Sequence, residues 1–212
     1  MFINISPLEG HPGYYDVTSR WEYTVVPQHL HRRFIILSDR REYMELAQSH
    51  GDASAWYRKP GDKFAAGDKA TFELVQFSVD GEDRSIGRSS RKSFQEYSVL
   101  IGAGVIEAAE PVVISYTTRT VTEANGHLLF FEIEQPTNGI NVAFDYTGTD
   151  IANVKVADLV QSMRPSQLEH APDVVTTKTI RVEIDGWIFP RSGIAFSWTR
   201  ESENAVVKRA LP

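Results

Sequence analysis

The sequence predicts a mainly β (α+β) fold: an antiparallel β-sandwich or partly open barrel with one packed helix near residues 39–50. Three observations favour this fold class. Short runs rich in β-branched and aromatic residues recur along the chain, turn signals separate them, and one segment carries helix-capping residues. The 212 residues suit a single domain, with a weak seam at 52–68 between an α/β amino-terminal portion and an all-β remainder.

The amino-terminal portion contains two predicted strands and the predicted helix. Strands are expected over residues 21–26 and 34–37. Asp39 followed by Glu42 has the spacing of a capping box, and Gly51 suits the left-handed residue that follows a last helical turn. We therefore expect a helix that begins after Ser38 and packs through one apolar face. The stretch that follows it is expected to be irregular.

The remainder of the chain is predicted to be a meander of short strands. These cover residues 71–79, 93–101, 112–121, 127–133, 140–146, 151–156, 179–184 and 193–198. Asn125 and Gly126 tolerate the positive φ angles of a type I′ turn, so a hairpin is expected there. Residues 157–163 are predicted as one or two helical turns that end before Pro165, followed by a polar loop to about residue 177.

Composition argues against three classes of protein. The formal net charge of −6 opposes general nucleic-acid binding, because affinity for a phosphate backbone depends mostly on cations. The longest apolar runs are too short to span a bilayer, so no membrane association is expected. The chain has no cysteine, and its amino terminus lacks the pattern of a signal peptide. We therefore expect a cytoplasmic protein rather than a secreted one.

The segment 83–93, Asp-Arg-Ser-Ile-Gly-Arg-Ser-Ser-Arg-Lys-Ser, is the main candidate binding site. It combines four cations with four serines, and guanidinium forks with hydroxyls suit a phosphate or a carboxylate. The predicted ligand-binding residues are Arg84, Arg88, Ser90, Arg91 and Lys92. Because the spacing matches no phosphate-loop signature and charge runs usually face water, a solvated hairpin loop is the alternative interpretation.

Two aromatic clusters are candidate partner or ligand surfaces. The residues concerned are Trp56, Tyr57, Arg58 and Arg191. A Trp or Tyr beside an Arg is typical of interface hot spots, whereas a buried Trp is equally expected in a β core. We expect Trp187 and Trp198 in the core, and the position of Trp56 stays open.

Catalytic and metal-binding signals are weak. No Gly-x-Ser-x-Gly elbow occurs, and a cysteine nucleophile is impossible. His29 and His31 share one face of an extended segment, but zinc needs further ligands, so neither a metal nor a cofactor is expected. A hydrolase or nuclease stays open if two or more of these side chains converge in one cleft: Asp145, Asp150, His127, His29 and His31.

Taken as a set, these features favour a non-catalytic ligand- or partner-binding (sensing) domain. Its expected partner is an anionic, phosphate-bearing small molecule or another protein. Two alternatives stay open: the hydrolase or nuclease with dispersed carboxylates and histidines, and a structural subunit of a particle assembled through β-edges. The sequence leaves the oligomeric state undefined.

Overall fold

The computed structural model describes residues 1–48, 52–160, 166–171 and 177–203. The chain divides into two compact units. Unit 1 comprises Met1–Val17 with Thr122–Pro212, and unit 2 comprises Thr18–Val121. Each unit has a hydrophobic core of its own. The segment 52–68, where the sequence suggested a seam, lies inside unit 2.

The described residues are mostly β-strand. In chain order the strands are β1 (Phe2–Pro7), β2 (Tyr14–Val25), β3 (His31–Leu37), β4 (Ala53–Tyr57), β5 (Phe72–Val79), β6 (Glu82–Asp83), β7 (Ile86–Arg91), β8 (Phe94–Leu100), β9 (Val112–Glu123), β10 (Leu128–Ile133), β11 (Thr137–Asp145), β12 (Ile151–Leu159), β13 (Gln167–His170), β14 (Thr179–Ile188) and β15 (Ser192–Arg200). The α-helices are α1 (Arg40–Gln48) and α2 (Ala103–Ala108), and a short 3-10 helix spans Ala124–Gly126. The predicted mainly β, sandwich-like α+β fold is confirmed.

Unit 1 is a sandwich of two sheets. In one sheet β13, β14, β11, β1 and β2 follow one another, and in the other the order is β10, β15, β12. Phe144 of β11 stacks on Phe196 of β15 with 4.5 Å between the ring centroids, so the core lies between the sheets. Strand β1 pairs with β11 in parallel, whereas β14 pairs with β11 antiparallel.

In unit 2 the order β4, β3, β8, β7 forms one sheet, and β2, β9, β5 and β6 follow one another in a second. Phe34 of β3 meets Tyr116 of β9 with 5.0 Å between ring centroids. Helix α1 packs against β3 and β4, with Tyr43 against Tyr57. Because both faces of β3 are covered, residues 34–37 are all buried, which explains their continuous apolar run.

Helix α1 begins as the capping pattern predicted. The Asp39 carboxylate accepts hydrogen bonds from the backbone N–H groups of Arg41 at 2.8 Å and Glu42 at 3.0 Å. These bonds satisfy two of the N–H groups that the first helical turn leaves without partners. The predicted carboxyl-terminal residue, Gly51, lies outside the described residues.

The predicted hairpin at Asn125 and Gly126 is wrong. Strand β9 belongs to one sheet and β10 to another, where β10 pairs with β15. The positive φ falls on His127, at 54°, after the 3-10 helix. The physical reason is tertiary: the indole N–H of Trp198 donates to the Ala124 carbonyl at 3.0 Å and ties this connection to β15.

Three local predictions are also wrong. Residues 157–159 end strand β12 rather than forming helix, because Ala157 pairs with Ala195 and Leu159 with Gly193 of β15. Residues 161–163 of that predicted helical segment lie outside the described residues. Strand β4 lies within the stretch expected to be irregular, and β13 within the expected polar loop. Pairing with a neighbouring strand overrides a weak local pattern in each case.

The two tryptophans that were expected in the core differ in their burial. Trp198 is buried, as predicted, whereas Trp187 is 63% exposed. Gly186 precedes Trp187 with φ of 86°, and the pairing register of β14 with β11 shifts nearby, so Ile188 rather than Trp187 enters the core. No helix within the described part of the chain is long and apolar enough to cross a membrane.

Candidate functional site

The predicted anion-binding residues lie on an edge strand and its turn rather than on a flexible loop. Arg84 precedes β7, Arg88, Ser90 and Arg91 belong to it, and Lys92 begins the two-residue turn to β8. Strand β7 is the outermost strand of its sheet as the described residues define it. The segment therefore has a defined backbone, and alternate side chains point to opposite faces of the sheet.

The Arg88 side chain stabilises the fold of unit 2 through hydrogen bonds to other protein groups. Its Nε and Nη2 donate to the side-chain oxygen of Gln95 at 3.3 and 3.1 Å, and Nη2 also donates to the Gly67 carbonyl at 2.9 Å. Gln95 is fully buried, and its amide nitrogen donates to the Asp68 carbonyl at 2.9 Å. The guanidinium also lies 5.7 Å from the ring centre of Tyr97. Arg88 thus connects the hairpin to the 67–68 backbone.

The β7–β8 turn is fixed from both sides. The N–H of Gly67 donates to the Lys92 carbonyl at 3.2 Å, and the N–H of Ser38 donates to the Ser93 carbonyl at 3.0 Å. A side chain at position 67 has no room, because a Cβ there would fall 1.8 Å from the Arg91 carbonyl oxygen. The turn is therefore held by backbone contacts that do not use the cationic side chains.

Arg91 and Lys92 are exposed cations at the end of the strand and in the turn. Within the described residues, neither side chain forms an ion pair with a carboxylate. The Arg91 guanidinium lies 5.0 Å from the ring centre of Phe94, its partner across the hairpin. This contact orients Arg91 through a cation–π attraction and leaves its N–H groups available to an anion.

Arg84 and Ser90 occupy other positions. Arg84 pairs with Glu82 at 3.3 Å, and its Nε is buried with no acceptor among the described residues. Ser90 pairs across the hairpin with Gln95, on the same face of the sheet as Arg88. Arg84 lies outside β7, which begins at Ile86, and its guanidinium is already engaged by the Glu82 carboxylate.

Three of the candidate surface residues follow one another at the end of β4, where they do not form one surface. Trp56 is half-exposed and lies against Phe34 and Phe72, with ring centroids 6.3 and 5.0 Å apart. Its neighbour Tyr57 points to the opposite face, toward helix α1. Arg58 is engaged by Asp62 at 3.1 Å and by the Phe64 carbonyl at 3.3 Å. Trp56, Tyr57 and Arg58 therefore make contacts within unit 2.

Arg191 belongs to unit 1 and occupies the turn between β14 and β15. It has φ of 66°, and its backbone N–H donates to the Ile133 carbonyl at 2.9 Å. Its side chain is exposed. Arg191 and Arg58 therefore belong to different units.

A polar network at the end of β15 has no counterpart among the predicted sites. The Tyr15 hydroxyl donates to the Asp150 carboxylate, which also accepts two bonds from Arg200, at 2.8 and 2.6 Å. A further Arg200 nitrogen donates to the Asn125 side-chain oxygen at 2.7 Å. Tyr15 and Asp150 are 135 positions apart in the sequence, so no local pattern could have revealed the network.

The network shifts the pKa values of Asp150 and Tyr15 away from neutral pH. Burial alone would raise the pKa of Asp150, but hydrogen bonds from Tyr15 and Arg200 and the charge of Arg200 outweigh it and lower that pKa. Burial and the bond to Asp150 raise the pKa of Tyr15. A general acid or base needs a pKa near the working pH, so these shifts favour structure over proton transfer.

The other candidate catalytic residues are also bound to protein groups or belong to the other unit. His127 places Nδ1 3.0 Å from the Trp198 carbonyl and Nε2 3.2 Å from Glu203, and Asp145 accepts a bond from the N–H of Thr147 at 2.9 Å. His29 and His31 belong to unit 2. Across the described ranges, no three His, Asp or Glu side chains are grouped as metal ligands.

Searches against protein families, curated proteins and solved structures found no significant match for this chain.

Proposed function

We propose that this protein is a non-catalytic binding module that recognises an anionic, phosphate-bearing small molecule through Arg91 and Lys92. The observation that carries the proposal is the pairing state of these adjacent cations. Both are exposed, and neither has a carboxylate partner among the described residues. A phosphate would meet one fork-shaped donor and one compact donor next to each other.

The rigidity of the turn supports the same proposal. Gly67 and Ser38 bind the carbonyls of Lys92 and Ser93, and Arg88 connects the hairpin to the 67–68 backbone. Binding to a fixed turn costs less ordering entropy than binding to a flexible loop. Arg88 is thus a positioning residue in the proposal, while Arg91 and Lys92 touch the ligand. Arg84 lies outside β7 and is paired with Glu82, so the proposal does not include it.

The proposal includes a cytoplasmic location. A chain with no cysteine forms no disulfide, the bond that oxidising compartments favour. Phosphorylated metabolites are typical ligands for a cationic site in such a compartment.

Thermal unfolding in the presence of inorganic phosphate and pyrophosphate tests the proposal. Each salt is compared with potassium chloride at equal ionic strength, which removes general screening. A ligand at a hundred times its Kd stabilises by about 2.7 kcal/mol, which corresponds to a Tm increase of about 5–10 °C at this chain length. We expect such an increase with pyrophosphate, the larger of the two anions.

Substitutions test whether the increase in Tm depends on the β7–β8 turn. Arg91→Ala combined with Lys92→Ala should abolish the increase, whereas Lys59→Ala removes an exposed cation of the same unit that lies outside the hairpin and should leave it unchanged. The proposal fails if pyrophosphate stabilises no more than chloride does. It also fails if the double variant responds like the unmodified protein.

A further inference from the structure

The outer face of the β10–β15–β12 sheet is a surface of unit 1 that points away from the core of that unit. Alternation along each strand sends one set of side chains into the core and the other set outward. Where all three strands pair, the outward residues of the two edge strands are Leu128, Phe130 and Glu132 of β10, and Lys155, Ala157 and Leu159 of β12. We call this surface the outer face.

The middle of the outer face is flat. Ser197, Ala195 and Gly193 of β15 lie between the two edge strands. The ring of Phe130 covers Gly193 so closely that a Cβ there would fall 2.4 Å from it. Because the central residues are small and the Phe130 ring lies over Gly193, another flat protein surface can approach the outer face closely.

The outer face exposes a large apolar area. Leu128 is 51%, Phe130 45% and Leu159 62% exposed. Apolar surface contributes roughly 25 cal/mol per Å² when it leaves water. Clustered apolar side chains bordered by charged residues mark a protein interaction surface rather than ordinary solvent-facing sheet.

Two opposite charges define what this surface fits. Glu132 lies at one corner of the outer face and Lys155 at the diagonally opposite corner, in register with Gly193 and Ser197 respectively. Both are exposed, and neither has an ion-pair partner among the described residues. With strands about 4.8 Å apart and outward residues about 6.8 Å apart along each strand, the two positions are separated by about 17 Å. They cannot pair within one chain.

We propose that the outer face is the interface of a homodimer in which Glu132 of each copy pairs with Lys155 of the other. A twofold axis parallel to the face and perpendicular to the Glu132–Lys155 diagonal superposes each charge on the opposite charge of the second copy. Such an interface is self-complementary, as a twofold dimer requires. Leu128 and Leu159 lie near the axis, so each meets its own counterpart.

The size of the surface sets the strength of the dimer. The nine outward residues are fewer than the roughly 20–30 per side of a standard interface. The dimer is accordingly weak, with a Kd of the order of micromolar or above, and the strands of the two copies cross at a steep angle, as in orthogonal sheet packing. Pairing of rim charges contributes mainly to orientation and partner choice.

Sedimentation velocity from 1 to 500 µM, a range set by roughly micromolar affinity, tests the inference. The unmodified protein should pass from monomer to dimer. Glu132→Lys and Lys155→Glu should each remain monomeric, because each places like charges together at both ends of the interface. Glu183→Lys is the matched control, since Glu183 is an exposed acid of β14 that lies outside the outer face, and it should dimerise normally.

Mixing the two charge-reversed variants distinguishes this twofold interface from nonspecific association. An equimolar mixture of the Glu132→Lys and Lys155→Glu proteins should form a heterodimer, because the first presents two cations where the second presents two anions. The double variant carrying both substitutions should regain self-association. The inference is overturned if the unmodified protein stays monomeric throughout, if the single variants dimerise as it does, or if the mixture contains monomers alone.

Discussion

The backbone of Gly67 lies so close to that of Arg91 that a Cβ at position 67 would fall 1.8 Å from the Arg91 carbonyl oxygen. The obstacle is backbone, so it cannot move aside as the end of a flexible side chain could. The same glycine donates its N–H to the Lys92 carbonyl at 3.2 Å. One residue without a side chain therefore fixes one side of the β7–β8 turn.

Gly67→Ala should separate the 67–68 backbone from the turn. Overpacking against a fixed backbone costs about 1–3 kcal/mol, and we expect that loss in the free energy of unfolding measured with urea. If phosphate binds at Arg91 and Lys92, its affinity should fall as well, because the turn that carries them is displaced.

Gly104→Ala is the matched control. Gly104 lies within α2, where a Cβ would meet no atom within 4 Å and the backbone φ is ordinary. Alanine in a helix is favoured over glycine by roughly 0.5–1 kcal/mol, so this variant should equal or exceed the unmodified protein in stability. Equal stabilities for the two variants would contradict the steric account of Gly67.

Gln95→Leu should destabilise unit 2 despite the similar size of the side chains. The substitution removes the acceptor of the Arg88 guanidinium and the donor to the Asp68 carbonyl. Leaving buried polar groups without partners costs about 1–3 kcal/mol, which urea unfolding would measure. Gln76→Leu is the control, because Gln76 is exposed and its side-chain amide bonds to Asp83, which is exposed as well. A loss within about 0.5 kcal/mol is expected there.

The sequence predicted those elements whose determinants are local. The apolar run at residues 34–37 indicated a strand, and Asp39 indicated the start of a helix, because each signal depends on neighbours in the chain. The hairpin prediction at Asn125 and Gly126 was wrong because it also depended only on neighbouring residues. Their turn preference is real, but the contact of Trp198 with Ala124, 74 positions away, decides the path of the chain.

The candidate site was only partly predictable. The cations at 84–92 were evident from composition, but the distinction between an anchored Arg88 and the outward Arg91 and Lys92 depends on Gly67 and Gln95. Those partners lie 21 and 7 positions from Arg88. The outer face likewise needs the register of three strands that are not consecutive in sequence.

Trp198→Phe should destabilise unit 1, because the indole N–H bond to the Ala124 carbonyl is lost in a buried position. The unpaired carbonyl and the smaller ring together cost about 2–3 kcal/mol in the free energy of unfolding. Trp187→Phe is the control, since Trp187 is largely exposed, and it should change stability by less than about 0.5 kcal/mol. A larger loss for Trp187→Phe would contradict the assignment of Ile188, not Trp187, to the core.

Asp150 should make the stability of unit 1 depend on acid pH. Its pKa in the folded protein lies below the value of about 3.9 expected for an unfolded chain. The ionised carboxylate therefore stabilises the folded state above about pH 4, and that contribution is lost as the pH falls through the lower, folded pKa.

Asp150→Asn removes this contribution, so unfolding in urea should show a difference from the unmodified protein that is constant between about pH 5 and 7 and shrinks below about pH 4. Because the carboxylate is 39% exposed, solvent screens its pair with Arg200, and we expect a plateau of only about 1–2 kcal/mol. Glu183→Gln, at an exposed acid outside the network, should show no such difference. A difference that grows on acidification would mean that Asp150 is destabilised as an anion, contrary to the bonds that Tyr15 and Arg200 donate to it.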